Sequence, residues 1–146
     1  KSNFKKNTDL LLYLASRSEN IEYLKKFHKK KIILLDRFTD STIAYQHYGM
    51  GVNLKILKKI NNYILKNFQV DFTFLNIVDK KNMGIRLKKR RTLNRYDKFR
   101  DTFYNKVQNG FLKISKNKKR YLIINSNLSK KTNKDIIINK INKLIK

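Results

Sequence analysis

The apolar positions of this chain fall into blocks of two kinds, and the kinds alternate. From about Thr8 to His28, Leu10, Leu14, Ile21 and Leu24 recur at helical spacing. Thr8 or Asp9 stands where a cap satisfies the first free amides of that helix. Arg17 falls on the same stripe, an odd place for a charge. Tyr13 lies four residues earlier, so ring and guanidinium share one face. Lys31 to Asp36 reads Lys-Ile-Ile-Leu-Leu-Asp, an apolar run without alternation. Such a run predicts a strand covered on both faces, hence a parallel sheet. A polar turn of Thr39, Asp40 and Ser41 then leads into a short helix through Ile43 and Tyr45, broken at Gly49-Met50-Gly51. Asn53 caps the next helix, which carries Leu54, Leu57, Ile60, Ile64 and Leu65.

Phe72 to Val78, ended by Asp79, predicts a second buried strand, and Tyr121 to Asn125 a third. Between them come a helix to about Arg91, a basic segment running from Lys88 to Asp97, and a helix bearing Phe99, Phe103, Val107 and Ile114. Asn133 or Asp135 starts a last helix with Ile137, Ile141 and Leu144. Strands separated by helices predict an α/β fold with a parallel sheet. Ligands of such folds sit beyond the carboxyl ends of the strands, here Asp36-Arg37, Asp79 and Asn125. No repeat or linker divides the pattern, so residues 1–146 read as a single domain.

Composition narrows the classes. With 40% hydrophobic and 12% aromatic residues, 146 residues suffice for a core. Absence of Cys excludes a disulfide scaffold, thiol catalysis and a Cys-based zinc site, and two His are too few for a His-rich centre. No apolar run approaches the ~18–20 residues of a membrane span, and no leader pattern opens the chain. The expectation is a cytoplasmic protein with no membrane partner. A net charge of +26 reads first as nucleic-acid binding. Yet Lys, Asn and Ile abound while Pro is absent and Ala occurs only at Ala15 and Ala44, as AT-rich codon usage would produce in any protein. The cations are also spread along the whole chain. A small basic RNA- or DNA-binding domain is the alternative reading, distinguished by the steep salt dependence that counterion release imposes.

Asp36-Arg37 is the sharpest local feature: a guanidinium beside a carboxylate at a strand end can grip a phosphate with two hydrogen bonds, or simply finish the strand as a salt bridge. Tyr13 and Arg17 form either a platform for a nucleobase or a core-covering stem with a solvated head. Arg86 to Arg95 is either a mobile cationic lid or a solvated helix end. His28 reads as a surface residue at a helix C-terminus. None of the glycines, Gly49, Gly51, Gly84 and Gly110, fits the phosphate-cradling pattern G-x-x-x-x-G-K-[ST].

Several segments resemble bacterial thymidylate kinases. Leu11-Leu12-Tyr13-Leu14-Ala15-Ser16-Arg17 resembles their thymine-binding helix. Asp36-Arg37-Phe38-Thr39-Asp40-Ser41-Thr42-Ile43-Ala44-Tyr45-Gln46, followed by Gly49-Met50-Gly51, resembles their Asp-Arg-Tyr/His motif with its helix and glycine turn. Asp71-Phe72-Thr73-Phe74-Leu75 resembles the Pro-Asp-Leu-Thr-Phe-Leu strand, with Val70 in place of Pro. Asn94-Arg95-Tyr96-Asp97 resembles the lid's Asp-Arg-x-Glu, and Phe103 to Leu112 the helix after it.

This resemblance implies a three-layer P-loop-kinase-like sheet flanked by helices, with the N-terminal strands and P-loop absent. The chain would be the C-terminal part of a nucleoside monophosphate kinase, with residues 86–97 as the lid. It implies ATP-dependent, Mg²⁺-assisted phosphorylation of dTMP to dTDP, with dTMP and ATP as partners and nucleic acid disfavoured. Tyr13 would stack on thymine, where the family usually has Phe, and Arg17 would donate to a thymine carbonyl. Arg37 would hold the dTMP phosphate, oriented by Asp36. Ser41, Thr42 and Gln46 would line the base edge, and Tyr45 would pack under the deoxyribose. Arg90, Arg91 and Arg95 would be lid cations near the transferring phosphate. A missing central strand would leave the sheet open, to be closed by homodimerisation or by a partner's strand.

Overall fold

The computed structural model describes residues 4–28, 30–92 and 96–145. They form two compact units: Lys1–Val70 with Asp101–Ile114, and Asp71–Arg100 with Ser115–Lys146.

The first unit is helical. Helix α1 spans Lys6–Lys25. It begins before Thr8, with no side-chain cap, so the expected capping by Thr8 or Asp9 does not occur. His28 lies just past its end, and Nδ1 donates to the Lys25 carbonyl at 3.0 Å. Helix α2, Thr39–Thr42, runs directly into a π-helix over Ile43–Gly49. Gly51 ends that turn at φ 73°, where a side chain is costly. Asn53 caps α3, Leu54–Leu65, by accepting from the amides of Lys55 and Ile56, as its position predicts. Leu10 and Leu14 of α1 pack with Val52 and Leu57, and Ile43, Ile60 and Ile64 close over them. Helix α5, Asp101–Ile114, lies along the π-helix. Tyr45 meets Phe103 and Phe111 edge-on at 6.0 and 6.3 Å, and the Gly49 and Gly110 faces let the two backbones approach.

The expected strand Lys31–Asp36 is not a strand. Residues 32–35 form no ladder with any described residue, and Ile32 and Leu34 are 67% and 79% exposed. The apolar run specifies an extended chain, but a strand exists only where a second backbone supplies its hydrogen bonds.

The second unit holds a parallel two-stranded sheet of β1, Thr73–Ile77, and β2, Tyr121–Asn125, in register Thr73↔Tyr121 to Ile77↔Asn125. Leu75 and Ile124 are its buried positions. Helix α4, Lys80–Lys88, stops short of Arg91. A 3₁₀ turn follows at Tyr96–Lys98. Helix α6, Lys130–Leu144, begins ahead of Asn133 because the Ser129 hydroxyl caps it by accepting from the Thr132 amide. Its backbone thus starts at the earliest residue able to satisfy an orphan N–H. The architecture is α/β, rich in helix, with a small parallel sheet.

Candidate functional site

Most of the residues singled out from the sequence lie in the first unit, on α1 and on the stretch from Asp36 to Gln46. Asp9, Tyr13 and Arg17 follow one another at four-residue steps along one face of α1. Tyr13 is 43% exposed. The Arg17 guanidinium donates to Thr42 Oγ1 at 2.7 Å and lies 4.9 Å above the Phe38 ring. Its Nε is buried without a hydrogen-bond partner. Burial lowers the Arg17 pKa from its ordinary value, with Asp40 pulling the other way. The group stays charged, as guanidinium does in proteins. Phe38 in turn packs on the buried Phe68, with ring centroids 5.9 Å apart. An aromatic floor therefore fixes the plane of a half-desolvated cation.

Arg37 takes φ 67°, in the left-handed region that a residue with a Cβ enters only at a cost of about 1–2 kcal/mol. Such strain persists where surrounding structure imposes it, and it gathers at binding sites. The Arg37 side chain is exposed, with its guanidinium carbon 5.4 Å from the Tyr45 ring centroid. Asp36 is exposed too, and among the described residues no ion pair joins it to Arg37. Thr42 is buried and Ser41 half-buried, its amide donating to the Phe38 carbonyl. Tyr45 is half-buried, its ring between Arg37 and the α5 aromatics. Gln46 is only 2% exposed, and its Nε2 donates to Asp9 Oδ2 at 3.0 Å. The structure therefore brings together Tyr13, Arg17, Arg37, Thr42 and Tyr45 as a polar, aromatic face, and turns Gln46 inward.

The cations expected of a lid lie in the second unit. Arg90 is paired with Asp97 at 2.7 Å, Arg91 is exposed, and Arg95 lies outside the described residues. The same unit carries an open cleft of about 740 Å³ lined by Arg86, Ser126, Leu128, Asn133, Ile137 and Ile138. It opens beside the carboxyl end of β2, where α/β folds bind ligands. Arg86 Nη2 donates to the Ser126 carbonyl, and Asn133 Nδ2 to that of Asn125. At the end of β1, Asp79 caps α4 by accepting from the Asn82 amide, and Asn127 Oδ1 accepts from both Asp79 N and Asn82 Nδ2. Asp79 thus works as a helix cap, and the hydrogen bonds from Asn82 hold its pKa below the ordinary carboxylate value.

Sequence reasoning read Asp9 only as a candidate helix cap, gave Phe38 no role of its own, and expected ligands near the end of β2 without naming the residues that line this cleft. Asp9 had a visible signal, a carboxylate on the apolar stripe four residues before Tyr13. The cleft's place follows from the strand end at Asn125, but its lining does not, because Arg86 and Leu128 meet only through the tertiary fold.

The chain resembles known proteins along most of its length. A thymidylate kinase from Trichodesmium erythraeum is 35% identical over 125 residues, covering 84% of this chain and 56% of that protein. One from the Wolbachia of Brugia malayi is 33% identical over 139 residues, 94% of this chain and 66% of that one. The chain therefore spans roughly three-fifths of these relatives. The crystal structure of thymidylate kinase from Ehrlichia chaffeensis superposes on all of this chain and 70% of its own, with a TM-score of 0.70 and 26% identity. The family model described as Thymidylate kinase matches residues 1–137, which places this chain in the thymidylate kinase family.

Proposed function

We propose that the first unit is the dTMP-binding part of an ATP-dependent kinase that makes dTDP. The observation that carries the reading is the Arg17 arrangement: a cation half-buried, stacked on Phe38 and pinned by Thr42, beside a half-exposed tyrosine. A guanidinium held in one plane suits a carbonyl acceptor on a flat base, and Tyr13 offers that base a stacking face. Arg37 supplies a second, exposed fork on a strained backbone, suited to a phosphate. Its approach to the Tyr45 ring supports a role for that ring under the sugar, next to the phosphate. Ser41 and Thr42 line the base edge, Asp36 acts on Arg37 through the field of its charge, and Gln46 acts from inside.

The transfer step is mostly positioning and neutralisation of charge, so cations suffice and no strong nucleophile is required. Arg90, Arg91 and Arg95 are the lid cations of this reading, with Asp97 holding Arg90 through Nη1. The cleft beside β2, with Arg86 against apolar Leu128 and Ile137, has the composition to take the donor's base. Among the described residues no cluster of three or more His, Cys, Asp or Glu gathers. Mg²⁺ at such sites is held largely by the nucleotide's own phosphates, and no step is assigned to it on this chain.

The test is calorimetric titration with dTMP, thymidine and dCMP. Saturable dTMP binding with weaker dCMP binding is expected. Arg37→Ala should weaken dTMP and spare thymidine, whereas Arg17→Met should weaken both. Wild-type protein that binds dTMP no better than dCMP, or Arg37→Ala with undiminished dTMP affinity, overturns the reading.

A further inference from the structure

We propose that Asp9 is a positioning residue of the thymine site, acting through Gln46; this rests on the reading just given. Asp9 is 4% exposed, and a carboxylate is retained at such depth only where hydrogen bonds replace its lost water. Gln46, itself 2% exposed, donates to it across 37 positions of sequence. Burying this pair costs desolvation that an apolar contact in the same place would not, so the pair is kept for something beyond packing.

Its placement supplies one. Asp9, Tyr13 and Arg17 share a face of α1, while Thr42 and Gln46 lie four residues apart where α2 passes into the π-helix. Two side-chain rungs therefore join α1 to this stretch: Arg17 to Thr42 at 2.7 Å, and Asp9 to Gln46 at 3.0 Å. Tyr13 sits between the rungs, and Tyr45 immediately precedes Gln46. The core contacts of Leu10 and Leu14 hold α1 in place but are non-directional, and a single rung leaves its slide and turn only loosely set. Two rungs eight residues apart on α1 fix both, and with them the height of the Tyr13 ring and the direction of the Arg17 fork. The π-helix matters here, because its wider turn brings Gln46 inward while leaving Tyr45 against Arg37.

The experiment compares wild type, Gln46→Leu, and the exchanged pair Asp9→Asn with Gln46→Glu, which rebuilds the rung with donor and acceptor reversed. Two readouts are taken on the full chain. In ligand-free protein, NMR follows the Arg17 Nε–Hε signal and the Thr42 methyl. Both should shift in Gln46→Leu and return toward wild type in the exchanged pair. In titrations, Gln46→Leu should weaken thymidine about tenfold, in the range by which coupled residues alter affinity, and leave inorganic phosphate binding unchanged. The exchanged pair should recover most of the loss. A rung that only stabilises the fold would lower the unfolding midpoint yet leave the Arg17 and Thr42 signals and the thymidine affinity of the folded protein intact, and that result overturns the proposal. If wild type binds no thymidine at all, the dTMP reading falls, and the ligand-free signals still decide the positioning role.

Discussion

Gly110→Ala tests how tightly α5 holds the segment that carries the site. A Cβ built at Gly110 lies 2.6 Å from Cδ2 of Tyr48, 2.7 Å from Cγ and 2.8 Å from Cβ. Ordinary contact between carbon atoms is ~3.5–4.0 Å, so the two helices would have to part by roughly 1 Å. The atoms struck are the root of the side chain, so no swing of the distal ring relieves the clash. Moving Tyr48 also disturbs Lys113, whose ammonium lies 5.5 Å from the centroid of that ring. Overpacking of this kind costs about 1–3 kcal/mol, and three contacts at the root of one side chain put it near the upper end. Alanine returns up to about 1 kcal/mol through helix propensity. The net expectation is destabilisation by about 1–2 kcal/mol. Gly84→Ala is the internal control: it lies inside α4 with nothing within 4 Å of the new methyl. It should therefore gain up to about 1 kcal/mol. Urea unfolding followed by circular dichroism reads both midpoints, and dTMP titration reads the site. Gly110→Ala protein as stable as wild type would refute the close approach of α5 and the π-helix.

Arg37→Gly should unfold at higher urea than Arg37→Ala, by up to about 1 kcal/mol, because glycine accepts φ 67° without penalty; both should lose phosphate binding, measured by titration with dTMP. Replacing Ile32 and Leu34 together by Ser should cost less than about 1 kcal/mol and reduce light scattering of concentrated protein, since both are exposed on an extended segment that pairs with no described residue; a loss above ~2 kcal/mol would mean that a second copy or another chain covers them in solution. Asp79 has a depressed folded pKa, so its cap is present above the ordinary value of 3.8 and is lost as pH falls through the lower folded value; amide exchange of Asn82 should rise there, and Asp79→Asn should abolish that pH dependence. The 146-residue polypeptide, lacking any G-x-x-x-x-G-K-[ST] cradle, should not phosphorylate dTMP with ATP; turnover above a heat-killed control in a coupled ADP assay would contradict this.

The elements legible in the sequence are those whose signal is local. The Asn53 cap, the Gly49-Met50-Gly51 break and the strand Tyr121–Asn125 all appear where the pattern puts them, because a side-chain acceptor, a glycine or a β-branched run acts on its own few residues. Lys31–Asp36 fails for the converse reason. Its apolar run is as good as that of Thr73–Ile77, but the latter has Tyr121–Asn125 beside it and the former has no described partner. Pairing is a non-local event that periodicity does not encode. The site divides along the same line. Arg17 on an apolar stripe announced itself, and its companions Phe38 and Thr42 lie in a motif already singled out. The left-handed backbone of Arg37 gave no sign, since nothing about an arginine favours φ 67°. Nor did the inward turn of Gln46, which depends on the partner α1 offers it.

The π-helix of Ile43–Gly49 also constrains how this stretch of gene can change in length. A π-turn, closed here by Met50 N donating to the Tyr45 carbonyl at 3.0 Å, holds more residues than an α-turn in the same rise. Deleting a single codon within it would let the segment relax to an ordinary helix. Because a π-turn is an α-turn with one residue added, that relaxation would absorb the lost residue and leave the flanking turns close to their present register. Thr42, upstream, would keep its bond to Arg17, and Gly49, downstream, would stay close to its place against Phe103. The deletion would instead be felt within the turn, at Tyr45 and Gln46, whose outward and inward directions depend on its width. A one-residue change of length in this stretch is therefore borne by the site and not by the fold around it.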